Sequence, residues 1–401
     1  MTDDLQPRHR TRLAATAPFT LARSLRAMSG FAPCAGDQSV TGDRVRKAVP
    51  HPGRATEAVV VDVGPSDSGV DLIVHASGPL RADESAAVER TVADWLGLDD
   101  DLSGFLAIAR GDPAMARVLP IVTGLHQVRF ASLAEGAAYF ALTQRSTQWY
   151  AAARKRRIAA ELGPRGTVDG VLHVAFPTLD TLRGCGDLVE YAGNGQRAAR
   201  LRQVLDGIAG LDEAWLRAAP YDEVRRALLA VPGIGTFTAH AVLLRVLGRP
   251  DDVPVEMAQF SRVAGALYGE PAPAPAELRE RYGRWIGWWS YLTRMGLGWL
   301  AADSAPPAPG GGRRARPAGG AGQPARESSQ RSRVRTPHPV APLASSPSAD
   351  SDQAGADMSR WAQRSLASPV NSRRKRAAIS EPPPTSVELT TSATSLASDS
   401  T

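Results

Sequence analysis

Residues 228–243 read LLAVPGIGTFTAHAVL, a stretch that indicates two helices joined by a tight turn. A helix runs into the turn 232–235, Pro-Gly-Ile-Gly, and a second helix begins at once with Thr236. Glycines permit positive φ and let backbone N–H groups approach an outside ligand. The start of the second helix has N–H groups without intrahelical partners and the positive end of the helix dipole, which together suit a phosphate. The alternative is a plain tight connection between two packed helices.

The next stretch, residues 248–256, reads GRPDDVPVE and places one carboxylate, Glu256, at the start of the following helix. The two stretches together resemble the helix-hairpin-helix, Gly/Pro/Asp family of DNA glycosylases. That family includes bacterial 3-methyladenine DNA glycosylase II and the 8-oxoguanine glycosylases. The family pattern fits the chain from Pro232 to Met257 without a gap, and weaker matches extend the resemblance over roughly residues 18–300. These lie at 19–21, 30–31, 98–102, 112–113, 124–130, 141–146 and 195–201.

The composition bounds the class of protein. The chain has 401 residues, 43% of them hydrophobic, and a net charge of +6, which favours polyanionic partners. Its two cysteines, Cys34 and Cys185, are too few for a disulfide framework or an iron–sulfur cluster. No apolar run is long enough to cross a membrane, and the acidic Asp3 and Asp4 argue against a transit peptide. We expect a cytoplasmic, nucleoid-associated monomer.

The sequence predicts an α+β protein with a small N-terminal antiparallel β module, an all-α domain and a disordered C-terminal tail. Two β-branched runs, 58–63 and 70–75, flank a turn-forming stretch and predict a hairpin, and 83–96 has helical spacing. The predicted boundaries are an extension at 1–17, the β module at 18–120, the helical domain at 121–302 and a basic low-complexity tail at 303–401.

The helical domain is predicted from successive patterned segments separated by Gly, Pro or Asp-rich turns. They are 133–143, 147–162, 168–176, 178–184, 187–191, 196–209, 211–218, 221–230, 236–247, 256–268 and 276–300. The tail is rich in Pro, Gly, Ser and Arg, a composition that cannot bury enough surface to order itself. Its basic clusters either add non-specific DNA affinity or belong to a solvated linker.

The resemblance implies how the chain grips double-stranded DNA that contains damaged bases. The phosphate-binding hairpin consists of Val231, Pro232, Gly233, Ile234, Gly235 and Thr236. The backbone carbonyls of Leu229, Val231 and Ile234 would hold a monovalent cation beside the phosphate. A side chain added at Gly235 is expected to strain the turn and collide with the phosphate.

Two further DNA contacts follow from the resemblance. Gln144 and Arg145 fall at the position of the wedge that fills the gap left by a flipped base, although Arg145 also fits an ordinary surface arginine. Arg262 would contact a DNA phosphate, and a solvated salt bridge is its alternative role.

The resemblance also implies an aromatic pocket for an alkylated purine, because such bases carry positive charge and each aromatic ring attracts a cation by about 0.5–2 kcal/mol. Its residues would be Phe31, Phe237, Trp288 and Tyr291, and core packing is the alternative role for the tryptophans of this region.

Glu256 would be the catalytic carboxylate that stabilises positive charge on the sugar and orients water. The family has aspartate there, so the alternative is a catalytically impaired DNA-binding relative. Bifunctional members carry a Schiff-base lysine where this chain has Phe237, so we expect a monofunctional 3-methyladenine-type hydrolase without strand cleavage and without a catalytic cofactor. An 8-oxoguanine glycosylase with lyase activity is disfavoured for the same reason.

Overall fold

The computed structural model describes residues 4–30, 34 and 36–304. The predicted tail at 303–401 therefore lies outside the described residues except for its first two positions. One predicted pocket residue, Phe31, also lies outside them.

The N-terminal part is a five-stranded antiparallel sheet in the order β1-β5-β4-β3-β2. Its strands are β1 Gln6–Ala14, β2 Gln38–Thr41, β3 Arg44–His51, β4 Arg54–Ser66 and β5 Gly69–Ala76. The predicted hairpin is confirmed as β4 and β5, with Val60 paired to His75 and Ser66 to Gly69. The predicted extension at 1–17 contributes β1, a largely polar strand that pairs with β5 at one edge of the sheet.

Fifteen α-helices lie within the described residues, and the predicted helix at 83–96 is confirmed as the second of them. They are α1 Leu21–Ser29, α2 Ala82–Leu96, α3 Ser103–Arg110, α4 Leu119–Val122, α5 Leu133–Thr143, α6 Gln148–Leu162, α7 Leu179–Gly184, α8 Val189–Ala192, α9 Gly195–Ala209, α10 Glu213–Ala218, α11 Tyr221–Ala230, α12 Thr236–Arg245, α13 Ala258–Tyr268, α14 Pro275–Tyr282 and α15 Ile286–Asp303. Short 3-10 helices occur at Pro113–Arg117 and Gly283–Trp285.

The predicted α+β class, with an N-terminal antiparallel sheet followed by many helices, is confirmed, but one predicted helical segment, 168–176, is wrong. The chain forms a β-hairpin there, with β6 Arg165–Val168 paired to β7 Val171–Val174. The two turn residues, Asp169 and Gly170, have φ of 52° and 74°. An Asp-Gly pair with positive φ at both positions is typical of a type I′ hairpin turn. The three-residue spacing of Val168, Val171 and Val174 imitated a helical stripe.

The described residues pack around two large hydrophobic cores. The first core combines one face of the sheet and α1 to α4 with the late helices α13 to α15. The second core is formed by α5 to α12. The connection between α12 and α13 crosses from one core to the other, because Val246 and Leu247 belong to the second core and Val253 and Val255 to the first.

None of the helices in the described part of the chain has the length and the apolar composition needed to span a bilayer.

Candidate active site and nucleic-acid interface

The hairpin between α11 and α12 has a buried side and an open side. Val231 and Ile234 are each only 6% exposed and anchor the turn in the second core. The Ile234 N–H donates to the Val231 carbonyl at 3.0 Å, which closes the turn. Pro232, Gly235 and Thr236 are exposed, so the turn presents backbone and small side chains to solvent.

The two hairpin glycines have different reasons to be glycine. Gly233 has a φ of 90°, and an added Cβ would lie 3.0 Å from Cγ2 of Val204. Gly235 has a φ of −94° and ψ of 176°, and an added Cβ would meet no atom within 4 Å. The expectation that a side chain at Gly235 strains the turn is therefore wrong, because that backbone conformation is open to any residue. Gly233 is the hairpin position at which a residue with a side chain would be strained.

Gly235 is the N-cap of α12, and no side chain caps this helix end. The first N–H groups of the helix consequently have no intrahelical or side-chain cap partner and are free to bind an anion. Phe237, in the first turn, is 37% exposed beside them. His240 is buried one turn further on and contacts the Tyr221 hydroxyl at 3.1 Å, so it belongs to the packing of α12.

The predicted wedge residues occupy the loop between α5 and α6. Gln144 donates from Nε2 to the Gly233 carbonyl at 2.6 Å, so this side chain braces the hairpin rather than projecting freely. Arg145 is exposed and has a φ of 52°. Its carbonyl accepts a hydrogen bond from Arg197 at 3.2 Å. The loop therefore holds the Arg145 side chain at the surface, close to the hairpin.

Glu256 lies in the turn just before α13, on the open side of the connection from α12. Its side chain is 60% exposed, and both carboxylate oxygens accept hydrogen bonds from Arg279 of α14. These hydrogen bonds, together with one from its own backbone N–H, hold the pKa of Glu256 below its ordinary value. Glu256 is consequently an accessible, ionised carboxylate at neutral pH.

The other predicted contacts are dispersed. Trp288 and Tyr291 are 2% and 6% exposed and pack in the first core. The Tyr291 ring lies beneath the Arg245 guanidinium, 5.0 Å from its centroid, and lines a narrow cavity together with Cys34. Neither aromatic face is open at the surface in this conformation. Arg262 is exposed on α13, as a phosphate contact would require.

Arg279 was missed by sequence reasoning, although it makes the main contact with Glu256. It lies in the run 278–281, Leu-Arg-Glu-Arg, where alternating charges are typical of a solvated helix face. Nothing in that local pattern indicates a partner 23 residues away.

The hairpin carbonyls suit a cation. Within the described residues, the backbone carbonyls of Leu229 and Ile234 accept no backbone hydrogen bond, and that of Val231 accepts one. A carbonyl oxygen has two lone pairs, so all three keep electron density for a ligand. The part of the chain that the structure describes contains no group of three or more His, Cys, Asp or Glu side chains able to hold a metal ion.

Comparison with known proteins agrees with this architecture. The solved 3-methyladenine DNA-glycosylase from Archaeoglobus fulgidus is 22% identical, with a TM-score of 0.57, over 73% of this chain and 99% of that one. The chain therefore has the fold of that glycosylase.

The chain is also similar in sequence to proteins named as DNA repair enzymes. A probable bifunctional transcriptional activator/DNA repair enzyme AlkA of Mycobacterium tuberculosis is 29% identical over 203 residues, 50% of this chain and 40% of that protein. A DNA-3-methyladenine glycosylase of Bacillus subtilis is 22% identical over 250 residues, 60% of this chain and 81% of that protein. The match thus spans well under half of the mycobacterial relative. No protein-family profile matches the chain.

Proposed function

We propose that this protein is a monofunctional DNA glycosylase that hydrolyses the N-glycosidic bond of alkylated purines, such as 3-methyladenine, in duplex DNA. The observation that carries the proposal is that an exposed hairpin is followed along the chain by an exposed carboxylate. An uncapped helix N-terminus at Gly235 is followed, across the link between the two cores, by the exposed and ionised Glu256.

The chemistry follows from the charge on Glu256. Cleavage of an N-glycosidic bond develops positive charge on the sugar, and a carboxylate beneath the sugar stabilises that charge. The same carboxylate orients the attacking water and accepts its proton. Phe237 offers no amine for a Schiff base, so the reaction ends with base release and an abasic site.

DNA binding is assigned to the surface around the hairpin. The α12 N–H groups would hold one phosphate, with a monovalent cation bound by the carbonyls of Leu229, Val231 and Ile234. Arg145 would fill the space of the flipped nucleotide, while Gln144 keeps the hairpin in place. Arg262 would contact a second phosphate.

The base pocket is assigned to Phe237, Trp288 and Tyr291. Phe237 is exposed beside the hairpin and is suited to stack on a cationic base. Trp288 and Tyr291 would have to become accessible when DNA binds. The similarity to relatives named as 3-methyladenine glycosylases supports alkylated purines as the substrate class. We further propose that the protein acts as a monomer on DNA in the cytoplasm.

One experiment tests the function directly. The purified full-length protein is incubated with methylated genomic DNA, and the released bases are identified by mass spectrometry. We expect free methylated purines in clear excess over the slow spontaneous release in a reaction without protein. Binding to alkylated duplex without release of any base would instead support a DNA-binding relative that has lost catalysis. The observation that favours this second candidate is that Glu256 replaces the family aspartate and has both oxygens bound to Arg279.

A further inference from the structure

The Arg279 guanidinium binds three residues of the segment that carries Glu256. Its Nη1 and Nη2 donate to the two carboxylate oxygens of Glu256, the second at 3.1 Å. Its Nε donates to Oδ1 of Asp252 at 3.1 Å, and Nη2 also donates to the Val253 carbonyl at 3.1 Å. One side chain of α14 therefore ties together both ends of the stretch 252–256.

This arrangement differs from an ordinary surface ion pair. Exposed pairs contribute little because two long side chains must be immobilised for one contact. Here the contacts with Asp252 and Val253 fix the guanidinium independently of Glu256. The planar guanidinium then donates two parallel hydrogen bonds to the carboxylate and holds it in one orientation. The direction of the Glu256 carboxylate is consequently set by Arg279.

Such a fixed point matters for a glutamate more than for the aspartate of related enzymes. The extra methylene adds a rotatable bond, and about 1 Å of misplacement of a reacting group can cost on the order of a hundredfold in rate. At 60% exposure, the Glu256 side chain has little packing to hold it.

We propose that Arg279 is the positioning residue of the active site, which aims the longer carboxylate of Glu256 at the sugar. This inference rests on the proposed glycosylase function. Arg279 itself touches neither the base nor the sugar in this scheme. The lowered pKa of Glu256, for which the Arg279 hydrogen bonds are the main cause, agrees with the assignment.

The test compares Arg279→Met and Arg279→Lys with wild type and with the control Arg284→Met. Arg284 stacks on Trp285 instead of contacting Glu256. Single-turnover base release is measured across pH, together with the Kd for lesion-containing duplex and the thermal unfolding of each variant.

For Arg279→Met we expect a rate about ten- to a hundredfold lower, as misplacement of a reacting group predicts, with Kd within about twofold. The acidic limb of its pH profile should move to higher pH, because Glu256 then titrates nearer its ordinary pKa. Arg279→Lys should restore the position of that limb but only part of the rate, since an ammonium group supplies charge without the paired geometry. Arg284→Met should match wild type.

An unchanged rate and pH profile in folded Arg279→Met would overturn the proposal, and so would a faster rate, which would make Arg279 a restraint on Glu256. Wild-type protein that releases no base would contradict the proposed function itself. The two failures are distinguishable, because the first requires an active wild type. If Arg279→Met unfolds, the rate of Arg279→Lys still decides, because a rate equal to that of wild type would show that the paired geometry of Arg279 is not needed.

Discussion

At the scale of single residues, the proposed chemistry depends on Phe237 and Glu256, which follow the hairpin on two different segments. Phe237 occupies the first turn of α12 and is exposed, while Glu256 precedes α13 and is held by Arg279. The phenyl ring of Phe237 has no nucleophilic nitrogen, so under the proposed function the sugar is attacked by water oriented at Glu256. This division of roles predicts base release without cleavage of the DNA strand.

The absence of a Schiff base is directly testable. Wild-type protein, incubated with lesion-containing duplex and borohydride, should give no covalent protein–DNA complex, and the product strand should break only after alkali is added. A bifunctional glycosylase treated in parallel is the positive control. A trapped complex in the wild-type reaction would contradict the monofunctional assignment.

Residues that are neighbours in the sequence could be predicted to lie together. Residues that are distant in the sequence and come into contact in the folded protein could not. The turn between α11 and α12 and the position of Glu256 just before a helix could be predicted because their spacing is local. Arg279 could not, since its role arises only when α14 packs beside the turn before α13. The sequence identified Trp288 and Tyr291 as aromatic but could not indicate that the fold buries both of them.

At the scale of elements, we expect the two hairpin glycines to have different roles, Gly233 in stability and Gly235 in DNA binding. Gly233 needs its left-handed backbone, whereas Gly235 has an ordinary one and open space around it. Substitutions at these positions should therefore affect different properties of the protein.

Gly233→Ala should lower the free energy of unfolding by about 1–2 kcal/mol, because a left-handed conformation is costly for a residue with a Cβ. Gly235→Asp should leave stability unchanged or slightly raised, because aspartate is a favoured N-cap. It should nevertheless weaken DNA binding strongly, since its charge occupies the place of the phosphate. Urea unfolding and a salt-controlled DNA titration measure both effects.

Gly235→Asn is the matched control for charge, because it has nearly the same shape and caps equally well. It should bind DNA better than Gly235→Asp. Equal and undiminished affinity of both variants would remove the hairpin from the DNA interface.

Helices and strands were predicted best where a regular pattern of apolar residues continues over many positions. The helix α2 and the β4–β5 hairpin have patterns that extend over many residues. The short hairpin β6–β7 was assigned to a helix because three valines imitate helical spacing, although Asp169-Gly170 is a strong local indication of a hairpin turn.

At the scale of the whole molecule, a buried charge cluster joins the β module to the helices. Lys155 of α6 is 1% exposed and donates to Glu135 of α5 at 2.6 Å and to Asp37 before β2. Lys47 of β3 lies 3.9 Å from the same Glu135 oxygen. Burial raises the pKa of Glu135, but the ammonium groups of Lys155 and Lys47 outweigh this and lower the pKa to about 2.

Lys155→Met should lower the free energy of unfolding by about 3–5 kcal/mol, because it leaves buried carboxylates unpaired. In wild type, the lowered pKa of Glu135 stabilises the fold fully above its ordinary value of 4.5, and this contribution is lost as the pH falls towards about 2. Glu135→Gln should lack that acid-dependent loss. Urea unfolding as a function of pH measures both, and equal pH dependence in wild type and Glu135→Gln would contradict the assignment.

The way the two cores divide the chain could not be predicted from the sequence. The predicted boundaries at 18–120 and 121–302 follow chain order. The structure instead packs α13 to α15 with the β module, because their apolar residues complete the first core. No local pattern distinguishes a helix that packs on its neighbour in sequence from one that returns to a distant sheet.

Single-turnover base release from alkylated duplex tests whether Glu256 is the catalytic carboxylate. Wild type is compared with Glu256→Gln and Glu256→Asp, with DNA affinity measured for each. We expect Glu256→Gln to bind DNA but to release no base, because the glutamine amide keeps the size of the carboxylate and loses its charge. Glu256→Asp should retain measurable release. Wild type that binds yet frees no base, or Glu256→Gln that releases base at the wild-type rate, would contradict the account.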